Sequence, residues 1–227
     1  MAAGVANAAV TGVTWRVVDN TVGNPGGDSF AGAVWNSLNQ YTFDLILQGD
    51  AGQRINGINM GDSNAPAATP YFISTNGTVF NHALGSNVRS AAFEPAFSAL
   101  QYDTFVALGS TVPGPGISFA GGQNLNGPTL RATWFTTDNA VLDANGEMRI
   151  MRVTVGYANG FNPYTQGGFL GTLGVIGQTG VDASTIEIGL PGGALQTLTV
   201  GNAFEVPAPA ATALMGLAGL AGLRRRR

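Results

Sequence analysis

Hydrophobic residues in this chain recur with a period of two, and that period fixes what the chain can fold into. In "GVTWRVVD", Val13, Trp15 and Val17 alternate with Thr14, Arg16 and Val18; in "YTFDLILQ", Tyr41, Phe43, Leu45 and Leu47 alternate with Thr42, Asp44 and Gln48. Successive side chains of a strand point to opposite faces, so this pattern marks ribbons with one face buried, not amphipathic helices of period 3.6. Further strands are expected at 54–60, 71–75, 78–82, 104–108, 129–137, 147–157, 170–176, 185–190 and 195–200.

Turn chemistry separates these runs. Asn76-Gly77 in "FISTNGTVF" and Asn145-Gly146 in "VLDANGEMRI" each tolerate the positive φ of a tight turn, and each is read as a hairpin. Pro191-Gly192-Gly193 stands between two more strands. About ten short strands with frequent turns predict an all-β, two-sheet β-sandwich with jelly-roll-like connections over residues 10–203. One stretch departs from the pattern: Gly168, Gly171, Gly174, Gly177 and Gly180 recur every three residues, a period of neither strand nor helix. The stretch lacks the glycine order of a dinucleotide-binding loop, and a glycine-rich strand with bulges is the reading preferred.

Composition removes several chemistries. All ten basic residues are arginine, so no lysine is present for a Schiff base or a phosphate-binding loop. No cysteine is present either, which excludes disulfides and thiolate catalysis, and a single histidine, His82, cannot assemble a zinc site. His82 is expected to be a hydrogen-bonded structural residue. Four arginines close the chain; the remaining six face thirteen acids, a balance that repels nucleic acid.

Oxygen ligands and carboxylates are what remains. Asp138, Asp143, Asn145 and Glu147 lie within ten residues and offer hard ligands to calcium, although the spacing is not that of an EF-hand and a solvated turn is the competing reading. Asp44, Asp50, Asp103, Asp138 and Glu187 are the stock from which a glycosidase pair would be drawn, but nothing in the sequence selects two of them. Trp15, Trp35 and Trp134 would stack on sugar rings if they faced outward; Trp15 and Trp134 lie on alternating strands, where burial is the expectation.

The C-terminus carries a separate signal. Residues 210–223 are uncharged, with Thr212 the sole hydrogen-bonding side chain, and Arg224, Arg225, Arg226 and Arg227 follow at once. As a short hydrophobic helix these fourteen residues would reach about 21 Å, less than the roughly 30 Å core of a bilayer. Terminal arginines would hold such a span at the cytoplasmic face with the body outside. "VPAPAATALMGLAGLAGLRRRR" resembles the PEP-CTERM sorting signal of Gram-negative bacteria. Pro207 and Pro209 match its two prolines, and Arg224 to Arg227 match its basic end; Ala208 stands where the family usually has glutamate.

The resemblance implies transient membrane insertion, recognition by an exosortase, cutting near the Pro-x-Pro motif, and delivery to the cell surface or a polysaccharide matrix. It covers the 22 residues quoted, within a sorting segment assigned to 204–227, and implies nothing catalytic; exopolysaccharide is a partner it suggests. "YDTFVALG" and "ATWFTTD" are also similar to stretches in the bodies of such proteins. Export needs a leader, and Ala6-Asn7-Ala8 has the form that ends a signal peptide, so residues 1–9 are expected to be a leader's remnant. The function expected is a structural or adhesive surface protein without catalysis or cofactor, the alternative a carbohydrate-binding or polysaccharide-active module.

Overall fold

The computed structural model describes residues 10–18, 40–65, 73–74, 78–109, 116–127, 129–156, 183–201 and 204–205. The leader remnant at 1–9, Trp35, Asn76-Gly77, the glycine period at 168–180, the strand expected at 170–176, the sorting motif at Pro207, Ala208 and Pro209, the hydrophobic helix and the terminal arginines lie outside these residues. Among the described residues no helix is long and apolar enough to cross a membrane.

The strands are β1 (Val10–Val18), β2 (Gln40–Gly49), β3 (Arg54–Asn59), β4 (Ile73–Ser74), β5 (Thr78–Val79), β6 (Phe105–Val106), β7 (Ser118–Phe119), β8 (Thr129–Leu130), β9 (Thr133–Val141), β10 (Glu147–Gly156), β11 (Ala183–Gly189), β12 (Leu195–Gly201) and β13 (Phe204–Glu205). One sheet runs β13-β1-β2-β10-β5, with β6 also on β10; the other runs β12-β11-β3-β9-β7; β4 pairs with β8. Every pairing is antiparallel except that of β1 with β13. The described residues are thus mostly β, in two chiefly antiparallel sheets and the β4–β8 pair, with almost no helix.

Alternation sets the core. Trp15, Phe43, Leu45 and Leu47 from the first sheet and Ile55, Ile58, Trp134 and Ile188 from the second are fully buried in one continuous cluster. Each such side chain contributes roughly 1.5–3 kcal/mol by leaving water. The indole N–H of Trp134 donates to the Ala107 carbonyl at 2.9 Å, so its burial leaves no polar atom unsatisfied.

Two antiparallel neighbours change sheets side by side. β2 and β10 pair in the first sheet, while β3 and β9, their continuations in sequence, pair in the second. The two corners are tied together: Gly49 N–H donates to Gly146 O at 2.9 Å, and Gly52 N–H to Leu142 O at 3.0 Å. Asn145-Gly146 therefore does not close a hairpin. It turns tightly, with Gly146 N–H bonded to Asp143 O at 2.9 Å and φ +73° at Gly146, but it delivers the chain to the opposite sheet. The described strands on either side of Asn76-Gly77 do not pair with each other: β4 pairs with β8 and β5 with β10. Pro191-Gly192-Gly193 does join paired strands, β11 and β12.

Strand lengths also differ from expectation. The run at 129–137 is divided into β8 and β9 at Arg131, which bridges instead to Asn124. In β2, Thr42 is buried although it points away from the core. Its hydroxyl meets that of Thr154 at 2.7 Å, and Thr104 Oγ1 accepts the Thr154 N–H at 3.2 Å, so residues from 80 to 106 cover this part of the sheet.

Candidate functional site

The outward face of the second sheet carries a groove whose shape follows from strand register. One row across the sheet reads Leu195, Gly189, Gly57, Phe135, because Gly189 pairs with Leu195 and with Gly57, and Gly57 pairs with Phe135. Two adjacent glycines give a floor without side chains. Leu195, 69 % exposed, and Phe135, 39 % exposed, stand on either side, three strand spacings or about 14 Å apart at the backbone. The hollow between them encloses about 230 Å³.

A polar row borders it. Thr197, Glu187, Asn59 and Thr133 are paired across the four strands. Asn59 Nδ2 donates to Glu187 Oε2 at 2.9 Å and Thr133 Oγ1 donates to Asn59 Oδ1 at 2.8 Å, so these side chains hold one another in fixed orientation. Asn56, at the bulge where β3 shifts register against β9, donates to Leu190 O at 3.3 Å; its buried Oδ1 has no hydrogen-bond partner among the described residues. Glu187 is the one carboxylate among the residues that line the groove.

Gly57 is required there. A Cβ on it would lie 2.8 Å from Trp134 O and 2.9 Å from Phe135 Cβ, closer than packed atoms approach. At Gly189 the nearest atom would be 3.4 Å away, an ordinary contact, so its lack of a side chain serves the hollow rather than the packing.

The candidate calcium ligands are engaged with protein groups. Asp143 Oδ1 accepts the backbone N–H groups of Asn145 at 2.8 Å and Glu147 at 2.9 Å, organising the corner. Both oxygens of Glu147 are held by Arg16, at 2.7 and 2.8 Å, and this guanidinium keeps the Glu147 carboxyl below the usual carboxylate range. Asp138 is exposed on β9 of the second sheet, whereas Glu147 lies on β10 of the first. Among the described residues no group of three or more His, Asp or Glu side chains is placed to hold a metal ion.

The five carboxylates considered for glycoside cleavage occupy different surroundings. Asp44 receives Arg152 through two bonds of 2.7 Å. Asp50 is exposed at a corner, Asp138 is exposed on β9, and Glu187 is bonded to Asn59. Asp103 is buried and accepts the His82 backbone N–H at 2.8 Å. Burial pushes its carboxyl up to about 7, opposed by hydrogen bonds from the backbone of His82, Thr104 and Ser86. His82 is itself buried, its Nδ1 accepting the Leu84 N–H at 3.1 Å, in keeping with a structural role. Arg149 and Arg152 both lie over the Phe105 ring, 5.4 and 5.8 Å from its centre. Burial lowers the Arg149 guanidinium from its ordinary value, and Asp44, 3.6 Å away, compensates.

Neither Trp15 nor Trp134 is available to a ligand, since both are buried in the core. The aromatic residue that does face outward at the groove is Phe135. Sequence reading singled out Glu187 only as one of five carboxylates and missed Gly57, Asn59, Phe135 and Leu195. The available signal was glycine at outward positions inside strands, in "RINGIN" and "IEIG", where a strand gains nothing from it unless something approaches closely.

The fold and the groove together define a class: a two-sheet antiparallel β protein with an open, glycine-floored hollow on one sheet face. No family model and no curated protein matches the chain. Among solved structures, an inactive mutant of a GH20 exo-β-N-acetylglucosaminidase from Vibrio harveyi is similar at 13 % identity and a TM-score of 0.32. The match covers 86 % of this chain and 18 % of that one, and a likeness of that size carries no argument for fold or activity.

Proposed function

We propose that this is an exported cell-surface or matrix protein, structural or adhesive rather than catalytic, whose body is a jelly-roll-like β-sandwich and whose C-terminus is an exosortase-type sorting segment. The groove supports the adhesive reading: it presents a fixed apolar hollow beside a polar row, with Glu187 as the one carboxylate among its lining residues. Glycoside hydrolysis of the common kind uses two carboxyl groups across the scissile bond. The alternative, a polysaccharide-active module, would require a second carboxylate to approach Glu187.

The tail provides the route. Pro207 and Pro209 mark the processing site, and Arg224 to Arg227 hold a short span at the inner face until it is cut. Replacing the four arginines with alanine removes the anchor, so precursor leaves the membrane or is degraded. Replacing Pro207 and Pro209 with alanine leaves the anchor and blocks processing, so precursor accumulates in the membrane fraction. Fractionation of the native host with antibody to the body separates these outcomes; identical behaviour of the two variants contradicts the proposal.

A further inference from the structure

We infer that the groove on the second sheet is a saccharide-binding site, taking a neutral or amino-bearing pyranose with one ring face against Phe135 and its hydroxyl rim toward Glu187 and Asn59. The inference rests on the adhesive reading of the body and names its ligand. A pyranose has an apolar C–H face and a polar rim, and the groove has the same division. Its floor and walls, Gly57, Gly189, Phe135 and Leu195, are apolar, and Glu187, Asn59 and Thr133 form a polar border along one side, with Asn56 at the bulge beyond the floor.

Other occupants fit less well. A peptide that binds by strand addition needs an unpaired backbone edge, whereas β3 and β11 are paired on both sides beneath the groove. An acyl chain would place methylene groups against the Glu187–Asn59–Thr133 network and desolvate a carboxylate with nothing offered in return. A hydroxyl or ammonium group that reaches the border donates to Glu187.

Charge selects among sugars. Glu187 is an anion at the rim, and outside its last four residues the chain has six arginines against thirteen acids, so uronic acids are repelled and neutral or cationic sugars are not. The hollow of about 230 Å³ is smaller than the roughly 300–1,000 Å³ of sites that enclose drug-sized ligands, which suits a single ring held from a longer chain.

The test is calorimetric titration of the full chain with neutral gluco-oligosaccharides, chitosan oligosaccharides and oligogalacturonate as probes. Binding is expected for the first two and not for the third. Phe135→Ala should weaken it by about tenfold, the loss of one aromatic contact, while Phe135→Tyr retains it. Glu187→Gln should weaken chitosan binding more than neutral binding. Phe135 is partly exposed, and an unchanged unfolding midpoint shows that its variant is folded. No binding of either neutral or amino probe by the folded chain, binding indifferent to Phe135→Ala, or preference for oligogalacturonate overturns the inference. Since these titrations do not depend on sorting, failure here with normal tail processing removes the ligand alone, and failed processing with normal binding removes the surface route alone.

Discussion

Replacing Asp103 by asparagine should make the protein less sensitive to rising pH. Asp103 is 2 % exposed, and its carboxyl ionises at about 7 in the folded chain, against 3.8 in water, chiefly because burial disfavours its charged form. Below pH 3.8 the group is protonated in folded and unfolded chains alike and carries no penalty. Between 3.8 and 7 the unfolded chain ionises while the folded one does not, so stability falls as pH rises, and above 7 the full penalty is present. At about 1.36 kcal/mol per pKa unit that penalty is about 4 kcal/mol, of which about 2.5 kcal/mol develops between pH 5 and pH 8. Asp103→Asn keeps an oxygen for the His82 N–H and has no charge to desolvate. Denaturant unfolding followed by the fluorescence of the buried Trp15 and Trp134 measures both proteins. The stability of the variant relative to the parent should rise by about 2.5 kcal/mol across that interval. Parallel pH profiles would refute the reasoning.

Two further outcomes follow from packing. Thr154→Val strands the Thr42 hydroxyl in a buried site and should cost about 1–3 kcal/mol, whereas replacing both threonines by valine should cost less than the sum of the single changes; additive losses in a double-mutant cycle would contradict the hydroxyl pair. Gly57→Ala should destabilise by about 1–3 kcal/mol because its Cβ meets β9, while Gly189→Ala, with ordinary contacts, should cost less than about 1 kcal/mol; equal unfolding midpoints would contradict the close approach.

Where burial depends on local alternation, the sequence was sufficient. Phe43, Leu45 and Leu47 face the core as their spacing predicts, and Pro191-Gly192-Gly193 joins β11 to β12. Where pairing depends on distant partners, it was not. Asn-Gly tolerates a tight turn but does not choose the strand that follows, and Gly146 turns the chain into the opposite sheet because β10 finds its partner in β2, about a hundred residues earlier. Thr42 reads as an outward polar residue until Thr154 is paired beside it and Thr104 is brought against that pair. The groove was least legible, since it exists only when register sets Gly57 beside Gly189 and places Phe135 and Leu195 at its sides. Glu187 was visible as an acid, but its use depends on Asn59, 128 positions away.

The central claim, that the body reaches the cell surface through a removable tail, is tested most directly by mass spectrometry of the mature protein from its native host. The account predicts that surface-exposed protein ends near Pro207 to Pro209, with peptides beyond that point confined to the membrane-bound precursor. Recovery from the surface pool of peptides that run through Leu223 would make the tail a lasting part of the protein and contradict it.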